Sequence, residues 1–333
     1  MPEPSSKPAT TTWLHLLDAA PLPPGARAIS SVDLVVSPGG GYAGVVSDKV
    51  LLRVYSPAGG RLEQTLSYPL PPSARAVALH PSGRRIALCT PHQLQLVDVD
   101  THSVHTVDVP DAHKALTFSH SGDVLWASVE DSGGKISVRA YRAEDLTPIS
   151  SAVVAGMPDA QHSLMGHPTR EVVAVEVSAG PDGSWVSFVE LDGDTVRESA
   201  PGVSRDGAPF SLAGFAADGK SFAGVTNEAV LSWSYPDCVA RAPHPLREAL
   251  SLEGWSLCWQ AARTASSLVA PVSDEDAERF KLVVLDGTTL EPAATLDWEP
   301  RDQSYLHGVH ALSGEHLLAV GDRRLGLFEL KRS

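Results

Sequence analysis

Residues 74–89 read ARAVALHPSGRRIALC. A short apolar run meets a turn carrying Pro81 and Gly83, and a second apolar run follows at once. Proline presets φ and glycine accepts positive φ, so the turn folds two strands back on each other. The same order recurs in VDLVVSPGGGYAGVV (32–46), HKALTFSHSGDVLWAS (113–128), QHSLMGHPTREVVAVEV (161–177), PFSLAGFAADGKSFAGV (209–225), GWSLCWQAARTASSLVA (254–270) and LHGVHALSGEHLLAV (306–320). With Gly40, Gly83, Gly122, Arg170, Gly219, Arg263 and Gly314 as turn anchors, the units follow one another about every 40 to 50 residues.

Each unit continues through a polar loop into a third strand, such as VLLRVYS (50–56), QLQLVDVD (93–100), KISVRAY (135–141) or LGLFELK (325–331). Alternation in these runs suits strands with two differently packed faces. A turn and a more polar fourth strand follow, as in VHTVDV (104–109) and AATLDW (293–298). Four antiparallel strands per unit, seven times over, define an all-β seven-bladed β-propeller, which exposes only short outer edges. The last unit stops after its third strand. TTWLHLLDA (11–19) precedes the first unit, so residues 11–17 are expected to complete the last blade from the other end of the chain. Residues 11–333 then form one propeller domain, and 1–10, rich in proline and serine, a disordered tail. Residues 245–253 (PLREALSLE) could supply a helical turn or two.

LHPSGRRIAL (79–88), FSHSGDVLWA (118–127) and FAADGKSFAG (215–224) resemble the turn of WD40-type and YVTN-type seven-bladed propellers. VDVDTHS (97–103) and VLDGTTLEP (284–292) resemble their third strand and the turn after it. The resemblance spans about residues 11–331 and implies the fold. The Trp-Asp dipeptide of WD40 repeats is missing from every unit, and Gly166-His167 falls inside a turn, so WD40-like is the fitting label. Propellers host scaffolds and enzymes alike, so the fold leaves function open.

The chain has 333 residues, with 26 Lys and Arg against 40 Asp and Glu, for a net charge of −14. That balance argues against a nucleic-acid backbone or an anionic membrane as partner, since both need clustered cations. No apolar run suits a signal peptide or a bilayer span, so the expected location is cytoplasmic. Cys89 and Cys258 sit in apolar contexts and Cys238 makes the number odd; buried thiols are expected, with no CxxC pair and no metal or other cofactor. No Walker A, GxSxG or HExxH motif occurs.

Three groups of residues carry functional expectations. Loops between second and third strands hold Asp48, Asp131, Asp182, Glu228, Asp274, Glu275, Asp276 and Asp322. In a propeller they share one face and form a solvated acidic rim, suited to a basic protein partner. The starts of the innermost strands place Arg75, Lys114, His162 and His307, with Trp255 and Phe210 as flat surfaces, at one mouth of the central channel. That mouth could take a small anionic ligand or an acidic side chain. Finally, GMPDAQHSLMGHPTREVVAVEV (156–177) resembles the phosphogluconolactonase-like propellers through His162, His167-Pro168 and Glu176. Gln161 stands where that family has arginine, which removes the group that would hold an anion. His80, His120 and His167 read as surface turn residues. The leading reading is a non-enzymatic interaction scaffold; the alternative is a lactonase-type hydrolase at the channel mouth.

Overall fold

The computed structural model describes residues 12–21, 34–47, 51–206, 209–246, 255–258, 261–274, 279–298, 306–321 and 324–332. Seven antiparallel sheets follow one another in a ring. Blade 1 consists of Leu34–Val36, Ala43–Ser47, Leu51–Ser56 and Glu63–Pro69, and blade 2 of Ala76–Leu79, Arg85–Cys89, Gln93–Asp98 and Val104–Asp108. Blade 3 runs through Ala112–Phe118, Val124–Glu130, Ile136–Arg142 and Pro148–Val153, and blade 4 through Gln161–Gly166, Val172–Ser178, Gly183–Asp192 and Thr195–Asp206. Blade 5 comprises Ser211–Phe215, Ser221–Val225, Ala229–Ser234 and His244–Pro245. In blade 6 the inner strand is split into Trp255–Leu257 and Ala262–Arg263, both paired to Ser267–Asp274; Arg279–Asp286 and Pro292–Trp298 complete it. Blade 7 has Leu306–Ala311, His316–Gly321 and Arg324–Arg332, and its outer strand is Thr12–Pro21.

Burial follows strand position within a blade. The second strand is covered on both faces by neighbouring blades, so VLWASVE (124–130) is buried throughout. Outer strands splay where the wedge opens, and PISSAV (148–153) has no fully buried residue, with Pro148, Ser151 and Val153 exposed. The core is accordingly divided into seven clusters, one between each pair of consecutive blades. Leu52 and Val54 meet Ile86 and Leu88; Leu94 meets Phe118 and Leu125; Trp126 and Val138 meet Val173 and Val175. Phe188 meets Phe222 and Trp233; Val225 and Val230 meet Leu268 and Leu285; Leu282 and Val284 meet Leu317 and Ala319. Leu318, Val320 and Leu325 close the circle against Ala43, Val45 and Tyr55 of blade 1.

The amino-terminal strand pairs along the free edge of the last blade, from Thr12 opposite Arg332 to Pro21 opposite Arg324. A register shift between Leu16 and Asp18 marks a bulge at Leu17. Leu17 packs into the cluster joining blades 7 and 1, while Leu16 is 52 % exposed. Asp18 Oδ2 accepts the Leu62 N–H of blade 1 at 2.9 Å. One strand therefore ties the last blade to the first.

A second set of links joins the hairpin turns on one face. His80 Nε2 lies 3.1 Å from Gly122 O, and His167 Nε2 lies 3.1 Å from Gly219 O, each reaching the turn of the next blade. Ser313 N donates to Gly40 O at 3.0 Å, and Thr264 Oγ1 donates to Glu315 Oε2 at 2.7 Å. His167 is only 3 % exposed and His80 is half-buried, which corrects the surface reading of both; His120 is exposed. The last strand of blade 5 shrinks to His244–Pro245 because Pro236, Pro243 and Pro245 lack the N–H a ladder needs. The expected tail 1–10 lies outside the described residues, as does most of 245–253.

Removing residues 1–21 takes away a full edge of backbone hydrogen bonds and the contact of Leu17, itself worth about 2 kcal/mol. Thermal unfolding followed by circular dichroism is expected to show a Tm lower by more than about 5 °C; unchanged melting would rule out the latch. Gly219 has φ +70°, and a Cβ there would collide with the His167 ring. Gly219→Ala is expected to cost about 1–3 kcal/mol in denaturant unfolding. His167→Ala costs stability in its own right by removing a buried ring, but because it also relieves the collision, the double variant should lose less than the sum of the two single variants.

Candidate functional site

In an antiparallel blade the first and third strands start, and the second and fourth end, on one face of the ring. This upper face carries the connections between blades and the loops between second and third strands. Both the expected channel mouth and the expected acidic rim belong to it.

Lys114 is reached through a bulge. His113 pairs with Val129 and Ala115 with Ser128, leaving Lys114 as the extra residue. Its ammonium lies 3.0 Å from Glu130 Oε2, and Glu130 is 8 % exposed. The Asp159 N–H donates to both Glu130 oxygens, at 3.2 and 3.3 Å. Burial alone would raise the Glu130 carboxyl, but the Lys114 ammonium and the Asp159 amide outweigh it and hold the pKa below its usual value. His162 enters from blade 4, with Nδ1 2.6 Å from Ser128 Oγ of blade 3. Its Nε2 is buried, and among the described residues no donor or acceptor reaches it. Burial pushes the ring pKa down to about 4, with Lys114 adding to the shift and Glu130 opposing it. The imidazole is therefore neutral at physiological pH.

On the other face of blade 4, Glu176 is 6 % exposed. Its Oε2 accepts Ser163 Oγ–H and the Leu212 N–H, both at 3.1 Å. Burial raises its pKa, and these neutral donors only partly offset that. Glu176 thereby fastens blade 4 to blade 5, as His162 fastens it to blade 3. A third polar set joins Asp111, Arg139, Tyr141 and His113. The Arg139 guanidinium pairs with Asp111, and His113 Nε2 lies 3.1 Å from the Tyr141 hydroxyl.

The structure brings Lys114 and His162 into one cluster, held by Glu130 and Ser128. Arg75 is exposed, with its N–H on Cys89 O. Trp255 is 8 % exposed and carries Lys281 Nζ 4.8 Å and the Arg279 guanidinium 5.6 Å from its ring centroid. Phe210 is buried against Trp233. Side chain His307 and residues Glu275, Asp276, Asp48 and Asp322 lie outside the described residues. On the rim, Asp131 accepts the N–H groups of Gly133 and Lys135 at 2.9 Å, and Asp274 is paired with Arg279 at 2.6 Å. Asp182 stands in a short 3-10 turn. Cys89 is fully buried, with its thiol pushed up to about 11 by burial. Among the described residues no group of three or more His, Cys, Asp or Glu could hold a metal ion.

The residues shared with the lactonase-like pattern do not converge. His162 turns toward blade 3 and Glu176 toward blade 5, from adjacent strands but opposite sides of the sheet. His167 lies at the far end of its strand, in contact with the blade 5 turn. Sequence reasoning missed Glu130 and Ser128 as partners. Their signal was available: a carboxylate and a hydroxyl inside a run that is otherwise apolar on both faces. Compared with protein-family models and with curated protein sequences, the chain matches none. The fold is that of a seven-bladed β-propeller.

Native rings that resist protonation make stability fall with acid. His162 and His310 are pushed to about 4 by burial, and His80, His113 and His167 are lowered, first by burial as well. In the unfolded chain these rings bind protons near pH 6.5, so the unfolded state takes up more protons as pH drops. Their contribution is complete above about pH 6.5 and is lost as pH falls toward 4. Melting temperatures over that range should decline, and His162→Gln should flatten the decline. A His162→Gln profile parallel to that of the wild type would sink this account.

Proposed function

We propose that this protein is a non-enzymatic, WD40-like propeller of the cytoplasm that binds a basic protein partner through its acidic upper face. The observation that carries the reading is that the polar side chains expected to do chemistry are already paired within and between blades. Lys114 is neutralised by Glu130, His162 is neutral and bonded to a wholly buried Ser128, and Glu176 is spent between blades. Such groups fasten blades together; they do not present a nucleophile, a base and an oxyanion donor to one point in space. The chain meanwhile carries a net charge of −14, with Asp131 and Asp182 on upper-face loops of blades 3 and 4 and Asp274 at the upper end of a blade 6 strand, followed in the sequence by Glu275 and Asp276. No helix among the described residues is long and apolar enough to cross a membrane.

The partner recovered by affinity capture should associate more slowly as salt rises, because exposed charges are screened beyond about 8 Å at physiological ionic strength. Replacing Asp131, Asp182, Asp274, Glu275 and Asp276 by Asn or Gln should slow association more than it speeds dissociation. An association rate indifferent to salt would remove the rim as the contact. Titration with phosphate and citrate, repeated with Arg75→Ala and His162→Ala, tests the mouth for anion binding. Turnover of a sugar lactone by the wild type would overturn the non-enzymatic reading.

A further inference from the structure

VVAVEV (172–177) is apolar except for one carboxyl group, that of Glu176, which enters the joint between blades 4 and 5. Around it stand Ser163 of the inner strand, Ala174 and Ser178 two residues away on its own strand, Val186 opposite in the third strand, and Ser211 and Leu212 of blade 5. Among the described residues no charged or titratable side chain faces the carboxyl from any of these elements. His162, next to Ser163 in the chain, turns to blade 3. Glu130 offers a comparison within the same molecule. It is nearly as buried, but Lys114 lies 3.0 Å away and the Asp159 N–H reaches both of its oxygens. A counter-ion, and a donor shared by both oxygens, suit an ionised carboxylate. At Glu176 the two donors, Ser163 Oγ and the Leu212 N–H, converge on Oε2 alone. That is the pattern of a neutral acid, whose carbonyl oxygen accepts while the other oxygen carries the proton. The Ser211 hydroxyl stands beside the carboxyl and can accept as well as donate.

We propose that Glu176 keeps its proton at neutral pH and makes the joint between blades 4 and 5 a switch that alkali opens. A buried carboxylate without a counter-ion is the costly form at such a site, whereas the acid satisfies its neighbours and carries no charge. Loss of the proton leaves an uncompensated charge between the two blades, which water must enter to solvate. The loop that carries Asp182 follows this strand, so the joint lies under the upper face. Burial is also the first cause of the raised pKa of Glu176. In the unfolded chain a glutamate titrates near pH 4.3. The stabilisation from the retained proton is therefore full below that value and is lost as pH rises through the raised folded value. This dependence is opposite in sign to that of the buried histidines, and it holds whether or not the rim binds a partner.

The test is infrared spectroscopy of the full chain at neutral pH, taken as the difference between the wild type and Glu176→Gln. The difference should contain the C=O stretch of a protonated carboxyl, fading in one step as pH is raised above neutral. The same difference taken with Glu130→Gln should contain none. Urea unfolding supplies a second readout. From about pH 5 upward, the ratio of the wild-type unfolding constant to that of Glu176→Gln should rise by up to about tenfold per pH unit, because the folded wild type binds one more proton than its unfolded chain. An ionised Glu176 that merely accepts hydrogen bonds would leave the ratio flat or make it fall. Either of those outcomes, or a carboxylate signal from Glu176 at neutral pH, overturns the proposal. If Glu176→Gln does not fold, the wild-type spectrum decides alone: a protonated carboxyl at neutral pH supports the proposal, and its absence overturns it.

Discussion

A sheet that is apolar on both faces cannot be stable alone, and this constraint governs the molecule. VLWASVE (124–130) and VVAVEV (172–177) bury nearly every residue, which requires a neighbouring blade on each side. Two blades side by side would still expose two such faces. Only a closed ring covers them all, and the seven wedge-shaped clusters are the result. The bulge at Leu17 and the bond from Asp18 to Leu62 matter because they act where the ring would otherwise open.

The same constraint decides what polar residues can do inside a blade. On a strand sandwiched between blades, a carboxylate or hydroxyl points into the next wedge and needs a partner there. Ser128 finds His162, Glu176 finds Leu212 and Ser163, and Glu130 finds Lys114 and Asp159. Ser128 with His162 and Glu176 with Leu212 cross a boundary between blades, and Glu130 holds the connection that leads from blade 3 to blade 4 through Asp159. Polar chemistry near the axis is thus largely consumed by assembly, and the unconsumed charge lies on loops and at strand ends.

The architecture was legible in sequence because its punctuation is local. The turns at Gly83, Gly122 and Gly219 all need positive φ, and each sits between two apolar runs. The displaced outer strand could be read from an arithmetic gap, one strand short at one end and one to spare at the other. What escaped depends on register and on facing. Lys114 meets Glu130 because a bulge turns it, and nothing in HKALTF announces a bulge. His167 looked like a turn residue, yet it is buried against a turn about fifty residues ahead. Trp255 was placed correctly at a strand start, but the cations that cover it come from the third strand of its own blade.

The pairing of Thr12–Pro21 with Arg324–Arg332 also sets an order of events during synthesis. Within the propeller, the strand that closes the ring is made before every blade, and its partner is made after the other six blades. At roughly 5–20 residues per second, the early strand waits on the order of half a minute for its partner. Throughout that wait it is an unpaired, partly apolar edge, and the first blade lacks one of its two neighbours. Contacts between opposite ends of a chain also make folding slow once synthesis is complete. Native structure at the seam between blades 7 and 1 therefore comes last, after the interior wedges can have formed. The seam is where a nascent chain is most exposed to pairing with a neighbouring molecule in place of itself.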